Sequence, residues 1–197
     1  MTLASYNPFI GQHMLTHVDG VTADRGYIAH YVIPADKAIA ANVANVLAAT
    51  ELTAEELEIT EGIAQPPTPR VLSITGNKST AVGDVIIEGT DMAGAELVET
   101  ITSTGDATVV GTKAFATVTK ITLPLISSPD GETISLGLSH AFGLPYKLPY
   151  DTVLKIYNNG TTTVAAGSSF DASDLSKNYI APTETLSSHQ VDVYLIV

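Results

Sequence analysis

A chain of 197 residues with 9 basic against 21 acidic side chains carries a net charge of −12 and an isoelectric point near 4.5. Affinity for a phosphate backbone comes from clustered Lys and Arg that displace counterions, and here those residues are scattered singly, so neither nucleic acid nor an anionic membrane is an expected partner. The absence of cysteine excludes disulfide frameworks, thiolate metal sites and cysteine nucleophiles.

In chain order, Met1 to Ile33 reads as an extended N-terminal arm leading into a first strand. Asn7, Gln12, His13, His17 and Asp19 break up Met1 to Gly20, which shows neither the basic leader nor the apolar centre of a signal peptide. Asp19-Gly20 and Asp24-Arg25-Gly26 are turn signals, and Tyr27 to Ile33 (YIAHYVI) is the β-rich end of the arm. Residues 34–197 follow as the main domain. Between Ala35 and Ala49, Ile39, Val43, Val46 and Leu47 fit a helical spacing, so this stretch is the place for a short helix if there is one, although Asn42 and Asn45 interrupt it. Glu55 to Glu61 reads as a strand with Leu57 and Ile59 inward, and Gln65-Pro66-Pro67-Thr68-Pro69 as a stiff connector.

From Arg70 onward strand follows strand. Arg70–Thr75, Asp84–Glu88, Glu96–Thr102, Thr108–Val110, Thr117–Leu123, Thr133–Leu138, Thr152–Tyr157 and Val191–Val197 are separated by Gly, Asn and Asp signals. Gly89 to Gly94 reads as a hairpin loop, and Asn159-Gly160 is a strong signal for a two-residue hairpin. Short strands at this spacing, with no helix-length pattern between them, predict an all-β sandwich of immunoglobulin-like or jelly-roll type rather than an α/β fold.

Five motifs carry residue types that could do chemistry. Gly137-Leu138-Ser139-His140-Ala141 nearly matches a nucleophile elbow, but Ala141 replaces the glycine that the tight turn requires, and neighbours on a strand point to opposite faces. His13 and His17 have metal-ligand spacing on a helix, yet Met14 stands where a zinc protease has its glutamate. The acidic groups Glu55, Glu56, Glu58, Glu61 and Asp171, Asp174 lack the ligand order of a calcium loop. Gly76-Asn77-Lys78-Ser79 lacks the earlier glycine of a phosphate loop, and the glycosylation sequons at Asn77 and Asn159 matter only on a eukaryotic secretory route. No catalytic residue, metal or cofactor is expected.

The wording of the strands is more informative. Ile63 to Ile74 (IAQPPTPRVLSI), Val85 to Asp91 (VIIEGTD), Glu96 to Ile101 (ELVETI) and Gly111 to Ile121 (GTKAFATVTKI) occur in that order. Thr133 to Leu138, Gly143 to Leu148 and the Val191 to Val197 ending follow. This string, over about residues 30–197, resembles a family of tailed-bacteriophage virion structural proteins grouped with the head. The resemblance implies a non-enzymatic component of the virion, foremost a capsid decoration protein that stabilises the head shell. It also implies the major capsid protein and neighbouring copies as partners, a homo-oligomer such as a trimer, synthesis in the host bacterial cytoplasm and a final place on the capsid surface. A tail, baseplate or fibre component is the alternative within the virion, and a carbohydrate-binding or adhesin module the alternative outside it.

Composition agrees with extensive subunit contact. Charged residues make up 15% of the chain and its mean hydropathy is +0.23, whereas an average globular protein is about 25% charged. The arm carries more apolar side chains than an idle tail needs. Phe9, Ile10, Met14, Leu15, Tyr27, Ile28 and Tyr31 are therefore the expected partner-docking residues.

Overall fold

The strand pattern is realised in the computed structural model, which describes residues 13–15, 17–24, 26–183, 186 and 188–197. In chain order the described strands are β1 (His13–Leu15), β2 (Thr22–Asp24), β3 (Ile28–Ile33), β4 (Asn42–Glu51) and β5 (Leu57–Ile59). They continue with β6 (Arg70–Gly76), β7 (Val82–Thr90), β8 (Glu96–Thr104), β9 (Thr108–Phe115) and β10 (Thr117–Leu123). The last are β11 (Thr133–Gly143), β12 (Val153–Asn158), β13 (Thr161–Thr163), β14 (Tyr179–Ile180) and β15 (Val191–Ile196). The protein is all-β; one 3-10 turn, Leu175–Lys177, is the helical element among the described residues, and none of the described helices is long and apolar enough to cross a membrane.

Two sheets form the sandwich. One has the order β5-β10-β7-β8; the other runs β14-β11-β6-β9 with β4 also paired to β11. They enclose a first core that includes Leu72, Ile74, Val85, Ile87, Phe115, Ile121, Ile134 and Leu136. A third sheet, β13-β12-β15-β3, packs a second core from Ile33, Phe142, Leu144, Ile156, Ile180, Val191, Val193 and Leu195. β1 and β2 form a separate hairpin.

Local chemistry explains the hairpins. β7 and β8 pair over nine uninterrupted positions from Val82↔Thr104 to Thr90↔Glu96, and β8 alternates exposed and buried along its whole length. Their turn is held by Asp91, whose Oδ1 accepts the N–H groups of Ala93 (2.8 Å) and Ala95 (2.9 Å). β12 returns into β13 through Asn159 (φ 52°) and Gly160 (φ 74°), both left-handed as the mirror-image two-residue turn requires.

The helical spacing between Ala35 and Ala49 does not produce a helix. Residues 35–37 are a turn, closed by the N–H groups of Lys37 and Ala38 on the Pro34 carbonyl (2.9 and 3.0 Å), and Asn42–Glu51 is β4. Its register against β11 slips twice, between Ile134↔Thr50 and Leu136↔Leu47 and again before Leu138↔Asn42. Each slip inserts extra residues on β4, so apolar side chains recur every three or four positions instead of every two. Val46 and Leu47 are consequently both buried, while Val43 is left exposed. The start of β4 also lies directly over Gly137, where a Cβ would come within 1.9 Å of the Asn42 carbonyl oxygen; only glycine permits that crossing.

A wide bulge joins the two cores. Between the pairs Leu138↔Leu72 and Phe142↔Arg70, β11 spends three residues where β6 spends one. Leu138 belongs to the first core and Phe142 to the second, so β11 changes cores across this bulge. The bulge takes the Ser139 carbonyl out of the ladder, and Arg70, fully buried, supplies the missing donors. Its Nε (3.1 Å) and Nη2 donate to the Ser139 carbonyl and its Nη1 (3.0 Å) to that of Ile39, with the guanidinium 4.2 Å above the Phe142 ring. Burial holds this guanidinium down to about 10.

Candidate docking surfaces

The residues of the five motifs lie apart in the fold. Ser139 is buried and its Oγ accepts the Ala141 N–H (3.1 Å), inside the bulge, whereas His140 is exposed. The elbow-like motif is thus the sequence of a β-bulge. His13 lies in β1 opposite Asp24, and His17 is an exposed residue of the following bend. Glu58 and Glu88 flank the Lys120 ammonium (3.2 and 2.8 Å), and those two bonds raise its pKa, Glu88 contributing the more. No group of three or more His, Asp and Glu side chains among the described residues could hold a metal ion.

Asp171 and Asp174 organise a loop instead. Asp171 Oδ1 accepts Ser173 N–H (2.7 Å), Ser173 Oγ (2.6 Å) and Asp174 N–H (2.9 Å), which hold its carboxyl down to about 2. Asp174 caps the 3-10 turn through Ser176 N–H (3.0 Å), and Asn178 bonds the Asp171 and Asp174 carbonyls (2.8 and 2.7 Å). A carboxyl held below its ordinary value contributes stability that is present above the unfolded value near 4 and is lost as pH falls towards 2. In thermal melts between pH 5 and 2, Asp171→Asn should therefore flatten the acid limb relative to the parent; parallel acid limbs would rule out this contribution.

The expected docking residues divide. Phe9 and Ile10 lie outside the described residues, and Met14 and Leu15 lie in β1 opposite Ala23 and Thr22. Tyr27 exchanges backbone hydrogen bonds with Val197 (3.0 and 2.9 Å). Tyr31 packs against the second core, where burial raises its pKa and a hydrogen bond to Thr68 opposes the rise. Ile28 is 68% exposed. Thus the end of the arm is β3, hydrogen-bonded to β15 from Ile28↔Ile196 to Ile33↔Val191. It belongs to the third sheet, and Tyr31 faces inward.

Three open surfaces among the described residues bear most on a partner. A cavity of about 550 Å³ lies at one end of the third sheet between Ile28, Ile196 and the Tyr146–Tyr150 loop. Two cavities of about 350 and 240 Å³ on the outer face of β6, β9 and β11 share Val110, Ser139 and His140, and no charged residue lines either. The outer face of the third sheet carries His30 stacked on Tyr194 (centroids 4.4 Å apart), with Tyr157 edge-on to Tyr194 at 6.0 Å. His30 Nε2 lies 2.8 Å from Asp192 Oδ1, to which Gln190 Nε2 also donates (2.9 Å). The aromatics are divided among these places rather than gathered on one platform: Tyr146 and Tyr150 line the first, Tyr179 the second, and Tyr157 and Tyr194 lie on the third.

No local signal in the sequence announces that third-sheet cluster. His30 lies 162 positions before Asp192, and only the β3–β15 register brings these residues and Tyr194 together. The class these features define is an all-β protein of packed antiparallel sheets with weakly charged open faces. No family model matches the chain, and neither a curated protein nor a solved structure does.

Proposed function

We propose that this chain is a non-enzymatic structural component of a tailed-phage virion, set on the capsid surface as a decoration protein that braces the head shell. The observation that carries the reading is the ordered string of strand motifs from Ile63 to Val197, which resembles head-associated virion proteins. In the fold these motifs supply β6 to β11, β15 and much of both cores. A rigid body of packed sheets with low charge suits repeated lateral contacts on a shell, and a net charge of −12 suits the side facing away from packaged DNA.

The test adds purified protein to capsids lacking it and images the particles. Density of this size on the outer shell, with a higher capsid melting temperature, is the expected result; no binding at micromolar protein overturns the reading. A variant lacking residues 1–20 separates two roles of the arm. Unchanged melting of the variant with lost capsid binding assigns those residues to docking, whereas collapse of stability with normal binding by the folded fraction assigns them to the domain.

A further inference from the structure

Edge strands present unpaired N–H and C=O groups, and proteins blunt them with short length, charge, proline, bulges or cover. Most edges among the described residues carry such a device. β5 has three residues and lies among Glu55, Glu56, Glu58 and Glu61; β13 and β14 have three and two. β4 is bulged, and its Val46 carbonyl accepts the Ala64 N–H (2.9 Å). β9 is bulged against β6 and carries Lys113. β8 turns a charged residue inward: Glu99 is buried, with Oε1 accepting the N–H and Oγ1 of Thr112 on β9 (2.5 and 2.9 Å).

Among the described residues, β3 carries none of them. It pairs with β15 over six positions without a slip, and its sequence, Ile-Ala-His-Tyr-Val-Ile, contains no Lys, Arg, Asp, Glu, Pro or Gly. Its far edge has no strand partner among the described residues. The hydrogen-bond phase shows which groups that edge offers. Tyr27 and Val197 exchange bonds, and the Ile196 N–H points the other way, to the Thr152 carbonyl (3.0 Å). Odd-numbered residues of β3 therefore bond to β15, and the N–H and C=O groups of Ile28, His30 and Val32 point outward. The side chains of Ile28 and Val32 are 68% and 37% exposed.

We propose that β3 is a self-association edge, pairing antiparallel with β3 of a second copy about a two-fold axis at His30. That register sets Ile28 opposite Val32 of the second copy, and Val32 opposite its Ile28. It makes all three outward residues members of hydrogen-bonded pairs, so the third sheets of two chains become one continuous sheet. A second copy is favoured over an unrelated strand on two grounds. The edge is self-complementary about His30, as a two-fold interface must be. It is also free of acidic residues in a chain of net charge −12, so no acidic side chain of one β3 faces another across the axis. The inference refines the self-contact within the proposed role. Its test uses the isolated protein, so its failure leaves the capsid reading standing.

The experiment is sedimentation equilibrium on the full chain, with hydrogen exchange at the His30 and Val32 amides. The parent should be dimeric at micromolar concentration, with both amides protected. I28K/V32K places like charges opposite one another and should weaken dimerisation at least 100-fold with little change in the melting temperature of the monomer. I28K/V32E places opposite charges across the axis and should restore the dimer, a rescue that a merely tolerated surface change would not give. A monomeric parent overturns the proposal, as does a dimer that survives I28K/V32K. If the parent is monomeric with protected amides, and deletion of residues 1–12 exposes them, the edge is occupied by the chain's own N-terminal segment and the second-copy assignment is wrong.

Discussion

Arg70→Ala is expected to lower the unfolding free energy by about 3–5 kcal/mol, a large part of the roughly 5–15 kcal/mol that holds a typical domain together. The side chain is fully buried, and its donors go to the backbone carbonyls of Ser139 and Ile39, with the Phe142 ring beneath. Removing it opens a void between the two cores and leaves two carbonyls without donors, each worth about 1–3 kcal/mol when stranded in the interior. Arg70→Met separates these effects. Methionine refills most of the volume and removes a buried charge, which by itself is favourable, but it donates to neither carbonyl. It should recover only part of the loss. Arg70→Lys should also fail, because one ammonium cannot reproduce the planar fork that reaches both carbonyls. Chemical denaturation of the three variants checks this ordering, and Arg70→Met as stable as the parent would mean that volume alone matters here.

The same region shows where the sequence is legible. Strands that pair locally and without slips can be read directly: β7 and β8 alternate cleanly around the Asp91 turn, and β12 turns at Asn159-Gly160. Bulges defeat the period-two signal. They made β4 look helical, and they hid the second half of β11, since nothing in Ser139-His140-Ala141 announces that three residues will face one. Arg70 was readable as the start of a strand, but its burial follows from a carbonyl released 69 positions away. Partner choice was the least legible feature. The sequence marks Ile28–Ile33 and Val191–Ile196 as strands, yet nothing local says that they lie side by side, or that Tyr31 turns inward while Ile28 and Val32 stay outside. The third sheet, its aromatic cluster and its open edge all follow from that one long-range pairing.

That dependence makes deletion of Val191–Val197 the second change of large expected effect. β15 lies between β12 and β3, so its loss separates them and removes the described strand partner of β3. Val191, Val193 and Leu195 are each 0% exposed in the second core, while Asp192 and Tyr194 line the outer face. At about 1.5–3 kcal/mol per buried aliphatic side chain the three contribute about 5–9 kcal/mol as an upper figure, comparable with the entire stability of a domain. The second core should therefore lose its fixed packing, while the first, built by β4 to β11, loses no residue of its own. Hydrogen exchange should show fast amides in β3 and β12 and slower ones in β6, β7 and β10. Two freshly exposed edges, the inner edge of β3 and that of β12, should drive aggregation on mild heating. Leu195→Ala, which keeps the strand and removes one side chain, should cost about 2–5 kcal/mol and leave the protein soluble, tying the larger effect to loss of the strand itself. A truncated protein that stays soluble and melts with the parent would show that the third sheet holds together without its central strand.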